Sequence, residues 1–337
     1  VVDVLRAGTP VAVSGRAHDG HWLAVRSVDD TRGWINAGYV DLLKPLAEIP
    51  TQPTPTSPPT PTPTPVPIDP SQPLVLAPPA VAPGDPVLVR LRYPAASQVL
   101  AAMGDTSISL QQVGPETWAG LFGVPVDTNP GEHAVHVTAI DVNGEVVLQP
   151  FQLLVHHADF DDETITLQED AQGLLDVEVS EAERARLRDE VWSVITADRM
   201  WSGAWTLPVT GSISSRFGAR RIYEGSDVTS RHEGVDFRGR AGTPVHAPAR
   251  GRVEFAEHLD VRGNTVWLDH GWGVHSGYFH MTDIAVEPGD IAERGQLLGT
   301  MGATGRVTGP HLHWEVRVHG VPVQPLQWVL SDPGAVP

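Results

Sequence analysis

His232-Glu233-Gly234-Val235-Asp236, answered far downstream by Gly309-Pro310-His311-Leu312-His313, decides how this chain is read. In an extended segment successive side chains leave opposite faces, so His311 and His313 share one face and Leu312 turns toward a core. The same alternation sends Asp236 to one side and Val235 and Phe237 to the other. Gly234 lets the backbone come close to whatever occupies the polar side. A zinc ion that does chemistry takes about three N or O protein ligands and keeps a position open for water. His232, Asp236 and His313 would supply that number, and His280 stands between the two stretches.

At these residues the chain resembles the lysostaphin-like (LytM-like) M23 zinc metallopeptidases, lytic endopeptidases of bacterial cell walls. Their pattern is His-x3-Asp followed far downstream by Gly-Pro-His-x-His. The flanks match as well: Ser214-Ser-Arg-Phe-Gly-Ala-Arg-Arg221, Gly242-Thr-Pro-Val-His-Ala-Pro-Ala-Arg-Gly251, Tyr278-Phe-His280 and Thr304-Gly-Arg-Val-Thr-Gly-Pro-His-Leu-His-Trp-Glu315. The resemblance covers residues 206–330. It implies one zinc ion per chain on His232, Asp236 and His313, with His280 and His311 as the catalytic pair beside it. The implied substrate is the stem peptides and cross-bridges of peptidoglycan.

The chemistry suits those residue types. Zinc brings the pKa of a water close to neutrality and polarises a carbonyl. An imidazole titrates near the working pH, so it can take the water proton and pass it to a leaving amine. The other imidazole can steady a tetrahedral oxyanion. Which of the two does which stays open at this stage. Arg220 and Arg221 either orient substrate carboxylates or pair with Glu224 or Asp227. The alternative reading is a non-enzymatic wall-binding protein or regulator of wall hydrolases on the same fold. Such relatives have lost metal ligands, whereas every ligand position is filled here. A zinc peptidase acting on ordinary extracellular protein is a third reading.

Composition narrows the class. A chain of 337 residues with 41% hydrophobic content suits two or three domains with cores of their own. No run of about eighteen apolar residues occurs. The first residue is Val, which suggests that a targeting segment or further modules precede it. With no Cys there are no disulfides and no Cys-type structural zinc. A formal charge of -18 argues against nucleic acid as a partner and against simple electrostatic adhesion to anionic wall polymers. An extracytoplasmic place, secreted or envelope-associated, follows from the resemblance and from the stalk described next.

The expected fold is mainly β and multidomain. Residues 1–46 resemble a bacterial SH3-like barrel truncated at its N-terminus, through Thr9–Ser14, His21–Arg26 and the Gly33-Trp-Ile ending; it is either a binder of wall peptides or a spacer. Residues 47–72 form a Pro/Thr-rich linker, extended because proline withholds amide donors and fixes φ. Residues 73–156 alternate as strands, with a hairpin signal at Asn143-Gly144, and resemble an Ig-like β-sandwich. Its His133 and His136, like His156 and His157, straddle opposite strand faces and make poor co-ligands.

Residues 157–205 form an acidic, helical connector. Ser180 and Glu183 have capping-box spacing ahead of a helix over 181–198, whose apolar stripe should dock on a neighbour together with Trp192 and Trp201. Asp159, Asp161, Asp162 and Glu163 read as a solvated charged face. The M23 metallopeptidase domain spans 206–332. Its other histidines, His246, His258, His270, His275 and His319, read as turn or surface positions.

Overall fold

The computed structural model describes residues 12–16, 22–26, 32–36, 74–94, 96–104, 106–143, 146–166, 177–224 and 229–335. The chain divides into two compact units, Val1–Pro67 and Ile68–Pro337. The first contains an antiparallel three-stranded sheet, Ala12–Arg16, Trp22–Arg26 and Arg32–Asn36, with Leu23, Ala24 and Val25 buried. The Pro/Thr-rich linker lies outside the described residues, as do the rest of the Gly33 to Val40 ending and Gly144.

The second unit begins with two sheets that share one core. Leu74–Ala77, Pro86–Arg92, Thr117–Gly123 and Gln111–Gly114 supply one. Ala80–Val81, Val146–Val155, Gly131–Asp141, Ala96–Met103 and Thr106–Ser109 supply the other. Val87, Val89 and Leu91 meet Val99, Val135, Val137 and Leu153 between them, as period-two patterning requires. The two long strands Gly131–Asp141 and Val146–Val155 pair antiparallel around the expected turn, where the Asn143 N–H donates to Asp141 Oδ1 at 2.8 Å.

The connector departs from expectation in two places. Asp162 and Glu163, expected on a solvated charged face, begin a strand, Asp162–Ile165, that pairs in parallel with Arg220–Tyr223. That pairing joins segments far apart in sequence, so no local pattern announces it. The helix runs from Val177 to Leu187, and its last turn widens to a π-helix over Arg188–Trp192, rather than covering 181–198. Ser180 therefore lies inside the helix and Glu183 caps nothing. The Glu183 carboxylate instead reaches across and accepts the Val261 N–H at 2.6 Å and Arg262 at 2.9 Å. The docking of Leu187, Val191 and Trp192 is as expected, closing a core with Phe255, Leu259, Trp267 and Phe279, whereas Trp201 packs instead against Trp205, Trp272 and Trp328.

A ten-stranded sheet carries the site. Along it run Ser212–Ser215, Gly234–Arg238, His311–Val318, Val274–Ile284, Gly263–Asp269, Gly251–Leu259 and Ile291–Ala292. Trp201, Trp205, Trp272 and Trp328 pack edge to face or tilted at its end, with ring centroids 4.7–6.3 Å apart. Polar contacts from elements flanking this sheet reach the preceding module: Gln327 Nε2, in the short helix Leu326–Leu330, donates to Asp85 Oδ1 at 3.1 Å, and Arg231, in the strand Thr229–Arg231, pairs with Asp127 at 2.9 Å. Among the described residues no helix is long and apolar enough to cross a membrane.

Candidate metal centre

The strands Gly234–Arg238 and His311–Val318 are antiparallel neighbours, and their register sets Asp236 directly opposite His313. Directly opposed residues project from the same face, so carboxylate and imidazole meet without any loop having to place them. The other face of the two strands is apolar: Val235, Phe237, Leu312 and Trp314 are all at most 1% exposed. His232 enters from the turn just before the first of these strands, and its ring centroid lies 4.9 Å from that of His313.

His232 Nε2 lies 3.0 Å from Asp236 Oδ1 and 3.0 Å from His313 Nδ1, and the last two atoms are 2.7 Å apart. Among the described residues this is the group of His, Asp and Glu side chains able to hold a metal ion. Ligand atoms tetrahedrally disposed about 2.0–2.1 Å from a common zinc stand roughly 3.3 Å from one another. Two sides of the observed triangle fall about 0.3 Å short of that and the third about 0.6 Å short, so a modest spreading of the three atoms would seat the ion.

The surroundings fix what each ligand atom presents. His232 Nδ1 faces the Arg216 carbonyl at 2.7 Å, so that nitrogen carries the proton and donates. His313 Nε2 faces the Glu315 carboxylate at 3.1 Å and donates likewise. In the neutral rings two nitrogen lone pairs and a carboxylate oxygen then converge on one point, and only a cation satisfies all three. Electrostatics agree. Burial pushes the His232 pKa down to about 4, which keeps it neutral. Burial would also lower His313, but its hydrogen bonds to Asp236 and Glu315 win and raise it, so this spot attracts positive charge. For Asp236, burial works to raise the pKa and is overcome by His232 and Arg221, which hold the carboxyl well below its usual range. The donor set therefore fits zinc in number, type and charge.

His311 and His280 stand at the rim of the triad. Their rings are 4.8 Å apart between centroids, and His311 Nε2 lies 3.9 Å from Asp236 Oδ1. The His311 Nδ1–H donates to the Gly309 carbonyl at 2.8 Å and the His280 Nδ1–H to that of Thr304 at 2.9 Å. These bonds place the Nδ1 proton and turn each Nε2 away from the backbone carbonyls. Burial, then the neighbouring His311 and His313, hold the His280 pKa well below its ordinary value. Strict alternation would point His280 away, because Phe279 is the residue opposite His313 and stacks on it at 5.0 Å. A left-handed φ of 63° at His280 breaks the alternation and brings its ring into the groove.

The groove around these residues measures about 790 Å³, and its walls come from the connector as well as from the sheet: Glu163 and Thr164 on one side, Ser180 and Arg184 on another. Of the expected partners Asp227 lies outside the described residues, and the pairs that the described residues show are with other carboxylates than Glu224. Arg221 reaches Asp236 and stands 3.6 Å from Glu163, while Arg220 pairs with Asp162 at 2.7 Å. Glu163 also accepts a hydrogen bond from Ser215 Oγ, 2.7 Å away, whose oxygen is 2.8 Å from His232 Nδ1. His270 and His275, expected at turn or surface positions, are fully buried. His270 donates to the Arg250 carbonyl and meets Ser276 Oγ at 2.7 Å, a structural bond far from solvent.

A buried triad of N and O donors with two imidazoles beside it is the equipment of a metallohydrolase. The chain carries an M23 domain: Peptidase family M23 matches residues 230–325. It is 38% identical over 125 residues to the peptidoglycan DD-endopeptidase ShyA of Vibrio cholerae, a match covering 37% of this chain and 29% of that protein. It is 38% identical over 121 residues to the DD-carboxypeptidase/endopeptidase Mpg of Neisseria meningitidis, over 36% of this chain and 28% of that protein. The chain thus spans less than a third of the length of these curated relatives. A crystal structure of a candidate M23 peptidase from Pseudomonas aeruginosa is similar at a TM-score of 0.52 and 26% identity, over 76% of this chain and 96% of that one. That likeness reaches well beyond residues 230–325.

Proposed function

We propose that the protein is a zinc-dependent endopeptidase that hydrolyses the peptide cross-links of bacterial peptidoglycan outside the cytoplasm. One observation carries the reading: two lone-pair nitrogens and one carboxylate oxygen, each locked by its own surroundings, point at one spot on the floor of a groove. His232, Asp236 and His313 hold the zinc. When bound, the metal supplies a water of near-neutral pKa and polarises the scissile carbonyl.

The chain's own residues do the remaining work. Nε2 of His280 or of His311 accepts the proton of the attacking water, since both rings spend their Nδ1–H on backbone carbonyls. The same imidazolium returns that proton to the leaving amine. The second ring, as a donor, steadies the oxyanion. Arg221, on the outer oxygen of Asp236, keeps that carboxylate aimed at the triad. The substrate class rests on the DD-endopeptidase relatives. In this reading the N-terminal three-stranded sheet belongs to an SH3-like module and the two-sheet module is Ig-like, and both target or space the peptidase along the wall. Incubating the zinc-loaded protein with purified peptidoglycan should release new amino groups. None appearing, with one zinc per chain bound, refutes the reading.

A further inference from the structure

The strand that presents His311 and His313 goes on presenting polar groups. By alternation Glu315 and Arg317 continue the same row, while Leu312, Trp314, Val316 and Val318 fill the apolar face. Glu315 is 3% exposed and Arg317 1%. Charged groups so deeply buried are rare unless paired, and here the pairing is complete.

The backbone makes room for them. Glu315 lies opposite Gly234 on one neighbouring strand and opposite Gly277 on the other. A Cβ at Gly234 would stand 2.4 Å from the Trp314 carbonyl oxygen and 2.8 Å from His313 Nε2; one at Gly277 would stand 2.8 Å from the Trp267 ring. In that space Glu315 Oε1 accepts from His313 Nε2 at 3.1 Å and Oε2 from Arg317 Nε at 2.8 Å. Arg317 spends its other nitrogens on the Gly320 carbonyl, 3.0 Å, and on Glu233 Oε2, and its guanidinium lies 4.0 Å over the Trp192 ring. Glu233 in turn accepts from Arg184 Nη1 at 2.8 and 3.1 Å. Arg184 belongs to the connector helix.

We infer that Glu315 is the positioning residue that holds His313 in its metal-ligating tautomer, and that Arg184 anchors the outer end of the row, so that seating the connector helix sets the affinity for zinc. The inference rests on the zinc reading above. A carboxylate on Nε2 pins the proton there and leaves Nδ1 bare toward Asp236 and His232. Beyond the neutral His313 each charge in the sequence Glu315, Arg317, Glu233, Arg184 is countered by the next. A helix lifted away would leave Glu233 short of one guanidinium and loosen the buried pair behind it.

The test is zinc affinity, by competition with a chromophoric chelator, on otherwise intact protein. Glu315→Gln keeps the shape but removes the charge that selects the tautomer. It should weaken zinc binding by about 10- to 100-fold. Because Glu315 Oε2 also faces the buried Arg317 guanidinium, the metal-free protein should melt lower as well. Affinity is therefore read well below that melting point on protein whose circular dichroism matches the wild type, where a merely structural residue would leave zinc binding unchanged. Arg184→Ala, on a partly exposed side chain, should weaken zinc binding by roughly two- to tenfold, and that loss should vanish in the Glu315→Gln background because both act through one network. Glu315→Gln protein that folds and binds zinc as tightly as the wild type overturns the inference. Arg184→Ala with wild-type affinity overturns the part given to the helix, and it does so even if Glu315→Gln fails to fold. Wild-type protein that takes up no zinc would instead defeat the functional reading itself.

Discussion

His313 and His280 lie in one groove, yet their removal should have opposite signatures. His313→Ala deletes the nitrogen 3.0 Å from His232 Nε2 and 2.7 Å from Asp236 Oδ1, leaving two ligand atoms where there were three. Small zinc-folded sites bind the ion with apparent energies of about 10–16 kcal/mol shared over four ligands, so one ligand is worth on the order of 3 kcal/mol, a hundredfold or more in affinity. The substitution also strands Glu315, whose Oε1 loses its donor. His280 touches none of the three ligand atoms at hydrogen-bonding distance; its side-chain bond goes to the Thr304 carbonyl. Its loss should leave zinc affinity within about threefold and lower kcat by about 10²- to 10⁴-fold, the usual weight of a general acid or base, or about 3–5 kcal/mol. Because His280 sits at a φ of 63°, His280→Asn is the better companion to His280→Ala, asparagine being among the residues that tolerate this backbone region. Bound zinc is read by elemental analysis after dialysis against a chelator, and turnover by release of amino groups from peptidoglycan. Zinc lost equally from the His280 and His313 variants, or turnover kept by His280→Asn, would refute the division into ligand and proton carrier.

Three further outcomes follow from other parts of the molecule. Gly234→Ala places a methyl group 2.4 Å from a backbone oxygen of the ligand strand, so that strand must shift; a loss of at least about 2 kcal/mol in urea unfolding, together with weaker zinc binding, is expected, and an unperturbed Gly234→Ala protein would contradict the packing described. His270 is buried and neutral, its pKa pushed down to about 4 by desolvation, whereas an unfolded histidine titrates near 6.5. Between those values the unfolded chain binds the extra proton, so His270's contribution is fully present above pH about 6.5 and is lost as pH falls toward 4, up to about 3 kcal/mol; His270→Gln should flatten that slope in urea titrations run across this range, and an equally steep slope would remove His270 as its cause. Asp127→Asn breaks a largely exposed pair with Arg231, so it should cost under about 1 kcal/mol and leave zinc affinity and turnover unchanged; a larger effect on either would mean that the junction with the two-sheet module bears on the site.

The grouping of His232, Asp236 and His313, proposed as the ligand set, was legible in part because some of its information is local. Period-two alternation around Asp236 and within His311-Leu312-His313 is enough to sort ligands from core, and the structure buries Val235, Phe237 and Leu312 on the side opposite the triad. The same rule, carried two steps further, would have found Glu315 and Arg317: two charges continuing the row of His311 and His313, between apolar residues that continue the row of Leu312, are a signal in plain view. What alternation could not supply was anything that depends on register or on a partner far along the chain. The opposition of Asp236 to His313 is a matter of strand register. Glu163 reaches the site only because its strand lies parallel to Arg220–Tyr223, where composition alone favoured solvent, and Arg221 turns to Asp236, a pairing no local spacing announced. Glu183 sits at capping-box spacing from Ser180, but the pull of the Val261 N–H and of Arg262 outweighs any local use of it. His280 is the instructive exception, since its place in the groove violates alternation and needs a left-handed backbone that neither residue type nor spacing announces. In the proposed roles the strand pattern places Asp236, His311 and His313, whereas His280, one of the two imidazoles offered for proton transfer, sits where the pattern is broken.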